Sequence, residues 1–349
     1  MSAIPALLEL LRSLSREIRD GVLEACAAQS EAELAAVAAD GPGDTIYHID
    51  KVSEALLIER VSASAAALGG VMLVAEGIEG GALRLPRGAD SAAWRVIVDP
   101  IDGTRGLMYQ KRSAWVLAAA APERGSATSS ADIVLAVQTE IPLLKQHLCD
   151  ELWAVRGQGA HLSRLDRFTG QARERSIAPS RATTLEHGFA MLTRFFPGAR
   201  DELAAIDDEV MLTLLGAAAP GKALCFEDQY ASTGGQLYEL MVGHDRFNAD
   251  LRPLMRPLLE RRGRPRSLCC HPYDLCTALI ASEAGVRLTD PWGRPLLFPL
   301  EVDPDLSWVG YANAALEASV GPVLSAALAR RGLTPELFDA AVADEAART

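Results

Sequence analysis

The chain has no run of about 18 uninterrupted apolar residues, so a membrane-spanning helix is not expected. It also lacks a basic amino-terminal segment. Met1-Ser2-Ala3-Ile4-Pro5-Ala6-Leu7-Leu8-Glu9 reaches an acid by residue 9, which is not the pattern of a secretory signal peptide. Positive charge is short: 34 basic against 46 acidic residues leave a net charge of −12, which argues against a nucleic-acid groove and with it a two-metal nuclease. Cysteine is sparse, with six irregularly spaced residues. Cys269-Cys270-His271 and Cys276 have no second CxxC pair, and adjacent cysteines with a histidine beside them rarely close on one tetrahedral ion. Reduced, buried thiols in a cytoplasmic protein are the expectation. There is no internal repeat, and no low-complexity tract beyond an alanine bias.

What is present is an ordinary globular composition, 49% hydrophobic and 23% charged, in 349 residues, enough for two domains or one large layered one. Leu7, Leu8, Leu11, Leu14, Ile18 and Val22 recur at helical spacing and predict one or two amphipathic helices over about residues 5–38, broken at Gly41-Pro42-Gly43. A helix is predicted from Lys51 to Leu68, ending at Gly69-Gly70, and then a buried strand, Val71–Ala75, that delivers Glu76. Strands are predicted at 94–98, 114–119, 133–137 and 151–155, with the polar run 123–130 as a hairpin loop. Gly157-Gln158-Gly159 follows a strand but opens no helix, so it is not a dinucleotide fingerprint. Residues 163–182 are polar and read as the crossing between two halves. The second half reads as a strand near 186–192, helices near 231–242 and 274–285, strands, and helix from Ala314. The stretch Arg252 to Arg266 carries six arginines among prolines. It reads either as a solvated or subunit-contact segment or as a basic lip for a second anionic group on a substrate.

Most of the chemistry is in Asp99-Pro100-Ile101-Asp102-Gly103-Thr104. Two carboxylates three positions apart end an apolar strand, where an unpaired charge is costly, and turn at once into Gly-Thr. Such a turn can hold divalent metal on one side and offer backbone N–H groups to an anion on the other. Glu76 ends a second buried strand, and Asp274 in His271-Pro272-Tyr273-Asp274 begins an apolar helical run. Four acids at the edges of buried elements are best explained by shared cations, the hardware of metal-assisted phosphate hydrolysis.

These motifs, in this order over roughly residues 45–315, resemble the inositol monophosphatase family, the lithium-sensitive, Mg²⁺-dependent phosphatases. The resemblance implies an α/β fold, a five-layered αβαβα sandwich of the inositol monophosphatase and fructose-1,6-bisphosphatase type, with the active site between its two sheets. It implies an N-terminal α+β domain (1–178) with the metal and phosphate motifs, and a C-terminal α/β domain (179–349) with the last metal ligand and the substrate wall. Two or three Mg²⁺ ions would be held: one by Glu76, Asp99 and the Ile101 carbonyl, one by Asp99, Asp102 and Asp274, and a weaker third sharing Glu76. Gly103 and Thr104 amides would bind phosphate. Asp50 and the Thr104 hydroxyl would orient and deprotonate the attacking water. Ser232 and Asp250 would contact the substrate. The implied substrate is a small phosphorylated alcohol, such as an inositol phosphate, a sugar phosphate or bisphosphate, or a nucleotide 3′-phosphate, and the implied assembly is a homodimer with no nucleic-acid or membrane partner.

The chain departs from the pattern at several points. Gly77 replaces a second acid after Glu76, Tyr273 replaces tryptophan, and Cys276 and Thr277 replace small residues. Ala231-Ser232-Thr233-Gly234-Gly235 replaces the usual helix start, and Asp250 lies 24 residues before Asp274 where the family has few. The competing expectation, a non-catalytic relative that binds metal and phosphate as a sensor or assembly partner, rests on these changes. Retention of Asp50, Glu76, Asp99, Asp102, Thr104 and Asp274 argues against it.

Overall fold

The computed structural model describes residues 3–28, 37–40, 45–336 and 338, with 37–40 and 45–52 described by backbone alone. Helix α1 (Ala3–Ala28) buries Leu7, Leu11, Leu14, Ile18 and Val22, the stripe its periodicity requires. Strand β1 (Val37–Asp40) pairs antiparallel with β2 (Thr45–Tyr47), and α2 (His48–Ala65) follows. Helix therefore does not extend to residue 38. Alanine favours helix, and the ladder with 45–47 overrides that preference.

An eight-stranded sheet is built from β3 (Val71–Ala75), β4 (Ala82–Leu85), β5 (Trp94–Asp102), β6 (Ala114–Pro122), β7 (Leu135–Ile141), β8 (Leu148–Val155), β9 (Ala160–Asp166) and β10 (Gln171–Arg175), in the order β10-β9-β8-β7-β6-β5-β3-β4. Only the β3–β5 pair is parallel. The polar stretch taken as a crossing thus contains a hairpin. All five residues of β10 are exposed, so the strand shows no apolar alternation, and its charged side chains are those of a guarded sheet edge.

The short helix α3 (Thr104–Met108) leaves β5 directly. In the second half, β11 (Phe189–Leu192) precedes α4 (Arg200–Leu215), α5 (Thr233–Met241) and β12 (Asp245–Asp250). A 3₁₀ turn at Arg252–Met255 leads into α6 (Arg256–Arg261), and α7 (Pro272–Leu275) and α8 (Ala278–Glu283) follow. Then come β13 (Arg287–Thr289), β14 (Trp308–Tyr311) and α9 (Ala314–Arg330). The four strands of this half form a second sheet in the order β11-β12-β14-β13. The helix read over 274–285 is two short ones, separated where the Thr277 hydroxyl donates to Gln138 Oε1 (3.1 Å). Helix α4 has no counterpart in the sequence reading. Its fully buried residues are Leu203, Ile206 and Val210, with Met211, Leu214 and Leu215 packing at the edge, and acids between them blur the stripe.

The layers run α1 and α2, large sheet, α5 with α7 and α8, small sheet, α4 and α9. One apolar core lies between α1, α2 and the large sheet, and the other fills the space between the sheets and beyond. This is the expected αβαβα sandwich. The Gly157-Gln158-Gly159 turn is a tie between layers: the Glu283 carboxylate at the end of α8 accepts from the amides of Gly157 (2.7 Å) and Gly159 (2.8 Å). No helix among the described residues is long and apolar enough to cross a membrane. The six cysteines are unpaired, five of them buried.

Candidate active site

Residues three apart on a regular strand face opposite sides of the sheet. In β5, Asp99 lies opposite Leu117 and Asp102 opposite Trp115, so three steps along β5 match two along β6. The extra residue, at Pro100-Ile101, is a bulge that returns both carboxylates to one face. That face looks into the middle layer. Proline, which has no N–H for the ladder, suits the interruption.

The middle layer supplies the rest. Ser232 Oγ (2.8 Å), Gly234 N (2.6 Å) and Thr233 N (3.3 Å) all donate to Asp102, so the first turn of α5 grips this carboxylate. The grip needs a glycine at 234, where a Cβ would stand 2.5 Å from Leu117 Cδ2 and 2.9 Å from Asp102 Oδ2. Asp99 Oδ1 accepts from Ile101 N (2.9 Å), and Asp274, on α7, accepts from His271 N (2.6 Å). One oxygen from each of Asp99, Asp102 and Asp274 lies within 4.8 Å of the others. Glu76, at the end of β3, lines the same cleft and adds its charge to the field at Asp99. The cleft is also lined by Ile101, Gly103, Thr104 and Ser232.

Burial and mutual repulsion dominate the electrostatics. Asp99 is 5% exposed and Asp102 6%. Burial first, then Asp102, Asp274 and Glu76, push the Asp99 carboxyl far above its ordinary range. Burial and then Asp274 push Asp102 up to about 8 against the pull of its three donors. The carboxylates cannot all be charged here without positive charge between them. An oxygen-only donor set of this kind suits a small hard cation such as Mg²⁺ and not a thiophilic one. The nearby Cys270 and Cys276 thiols are themselves pushed up by burial, away from the thiolate form a metal would need.

This arrangement sets the sign of a pH dependence in metal-free protein. Asp102 titrates at 3.8 when unfolded and at about 8 when folded, so the folded state holds the proton more tightly. Its contribution to stability is complete below the unfolded value and is lost as pH rises through the folded one. Melting in EDTA is expected to show Tm falling between about pH 4 and 8 and levelling off above, with saturating Mg²⁺ removing the fall. A Tm in EDTA that rises over that range contradicts the arrangement.

The structure brings Glu76, Asp99, Ile101, Asp102, Gly103, Thr104, Ser232 and Asp274 to one cleft. Thr104 Oγ1 donates to the Ile101 carbonyl (2.8 Å). Asp50 falls in the first turn of α2, and its side chain lies outside the described residues. Asp250 does not line the cleft; it is 1% exposed, with both oxygens on Arg252. Arg252 lines the cleft instead, alone among the six arginines of its stretch. Arg262 pairs with Asp201 (2.8 Å) and Arg256 with Glu260 (3.2 Å). Gly77, in place of a second acid, is left-handed (φ 88°), and the Glu54 carboxylate from α2 lies 3.3 Å from where its Cβ would stand. Sequence reasoning did not single out Arg105, Phe195, Phe196 and His271 as cleft residues. The Phe195-Phe196 pair after a strand was the available signal.

No protein-family model and no curated protein matches the chain. Solved structures do. The extragenic suppressor protein SuhB of Bartonella henselae superposes with a TM-score of 0.61 at 16% identity, over 91% of this chain and 98% of that one. Fructose-1,6-bisphosphatase of Leishmania major gives a TM-score of 0.63 at 13% identity, over 92% and 93%. The chain has the inositol monophosphatase fold. Inositol monophosphatase of Anabaena agrees, with a TM-score of 0.57 at 14% identity over 94% and 97% of the two chains. Within this inositol monophosphatase fold, the acid cluster lies between the two sheets, where α5 and α7 meet the end of β5.

Proposed function

We propose that the chain is an Mg²⁺-dependent phosphomonoesterase that hydrolyses a small phosphorylated alcohol. The observation that carries this reading is the convergence of Asp99, Asp102 and Asp274 within 4.8 Å, two of them buried, with burial first and neighbouring carboxylates second raising both carboxyls above their ordinary range. Folds named inositol monophosphatase and fructose-1,6-bisphosphatase support the choice of a phosphate ester.

Asp99, Asp102, Asp274 and Glu76 would hold the cations, with the Ile101 carbonyl as a further oxygen. That carbonyl accepts from Thr104 Oγ1 (2.8 Å), which fixes its direction. When bound, the metal lowers the pKa of water and neutralises the entering and leaving oxygens of an in-line displacement. The Thr104 hydroxyl, which donates to the Ile101 carbonyl, would help orient the attacking water in this reading. Asp50 takes the proton from that water in this reading, and the amides of 103 and 104 receive the phosphate oxygens.

Phosphate release from a panel of small phosphorylated alcohols tests the proposal. Turnover is expected with Mg²⁺, falling by about 100-fold or more in EDTA and inhibited by millimolar lithium. Turnover that is indifferent to EDTA overturns the metal role. No release from any ester with Mg²⁺ or Mn²⁺ leaves the non-catalytic binding protein in its place.

A further inference from the structure

Part of the cleft lining is built from aromatic and basic side chains, not from carboxylates. Phe195 and Phe196, in the loop after β11, pack edge to face (4.8 Å, 82°), and both line the cleft half-buried. The Arg252 guanidinium lies over both rings, 4.7 Å and 5.4 Å from their centroids. Arg105, on α3 next to Thr104, lies 5.1 Å over Phe196.

Arg252 is not placed to receive an anion. Its Nε donates to Asp250 (2.9 Å), its Nη2 bonds the same carboxylate, and its Nη1 donates to the Leu268 carbonyl (2.7 Å). At 4% exposure and with its charge matched, it is a flat brace that fixes the two rings. Asp250, the acid that would accept hydroxyls from a sugar or cyclitol, is sealed beneath it. The wall therefore presents aromatic faces and guanidinium planes where a polyol needs hydrogen-bond acceptors. Hydroxyls pressed against the ring faces would lose water and find no acceptor there. A planar unsaturated ring loses little water there and gains both ring–ring contact and guanidinium stacking.

We propose that this cleft selects phosphomonoesters whose alcohol carries an aromatic or heteroaromatic ring, with Phe195, Phe196 and Arg105 as specificity-determining residues and Arg252–Asp250 as the positioning pair behind them. The phosphate end rests on the phosphatase reading; the ring preference rests on the wall.

The test pairs benzylphosphonate with cyclohexylmethylphosphonate, equal in charge and nearly equal in size, in calorimetric titrations of the full chain with Mg²⁺. Benzylphosphonate is expected to bind about tenfold tighter. Phe196→Leu is expected to bring the two within about twofold, and Arg105→Gln to remove part of the preference. Equal affinities in the parent protein, or binding of neither, overturn the proposal, and neither result depends on a variant folding. Benzyl and cyclohexylmethyl phosphate are then compared in turnover, where the preference is expected in KM and not in kcat. Preferential binding without hydrolysis keeps the wall and removes the phosphatase. Hydrolysis of both esters with equal KM, together with equal phosphonate affinities, keeps the phosphatase and removes the wall.

Discussion

Asp99→Asn is expected to lower Mg²⁺-dependent phosphate release by about 1000-fold or more, the scale of losing a group that acts at the reacting atoms. The substitution keeps an oxygen for the Ile101 amide and changes little in shape, so the loss would be one of charge. Asp99 shares its field with Asp102, Asp274 and Glu76, and replacing it by a neutral amide relieves repulsion wherever the pH would charge it with no cation present. The same variant is therefore expected to melt about 2–4 °C above the parent in EDTA, most clearly at a pH above the titration of Asp102. In Mg²⁺ the order should invert, because the parent gains binding energy that the variant forgoes. Phosphate release and melting curves in both buffers read all of this. Turnover within tenfold of the parent, or a lower Tm in EDTA, rules out the role given to Asp99.

The second large effect is on stability. Arg252→Ala is expected to cost about 3–5 kcal/mol in urea unfolding, because it strands the Asp250 carboxylate, 1% exposed, without its cation. It also strips the Leu268 carbonyl of a donor and Phe195 and Phe196 of their brace. Replacing both members together, Asp250→Leu with Arg252→Met, is expected to recover most of that loss, since the penalty comes from a lone buried charge and not from the absence of a pair. Arg262→Ala, whose partner Asp201 is largely in solvent, should change little. Equal costs for Arg252→Ala and Arg262→Ala would show that burial does not set the worth of these pairs.

The part of the site legible in the sequence was the part that breaks a local rule. Asp99 and Asp102 stand out because they interrupt an apolar strand, and Glu76 because it follows one; both strands lie where periodicity puts them. The aromatic wall escaped because nothing local marks it. Phe195 and Phe196 read as ordinary apolar residues in a loop, and only the fold turns them toward Asp99. The arginine stretch was visible as a reversal of sign, yet charge alone does not distinguish Arg252, turned inward onto an acid two residues before it, from Arg262, turned out to Asp201. The same blindness hid β10, whose exposed Arg-Glu-Arg run satisfies an edge strand without any apolar signature. The layered architecture was recoverable from the motif resemblance more than from periodicity, since α4 and the split between α7 and α8 leave almost no trace in the pattern.

Gly234 brings the backbone of α5 so near β6 that its amide reaches Asp102 at 2.6 Å. A side chain of any size at 234 would push α5 off β6 and part that amide from the carboxylate, so the spacing between the middle layer and the large sheet is set by the absence of a single methyl group.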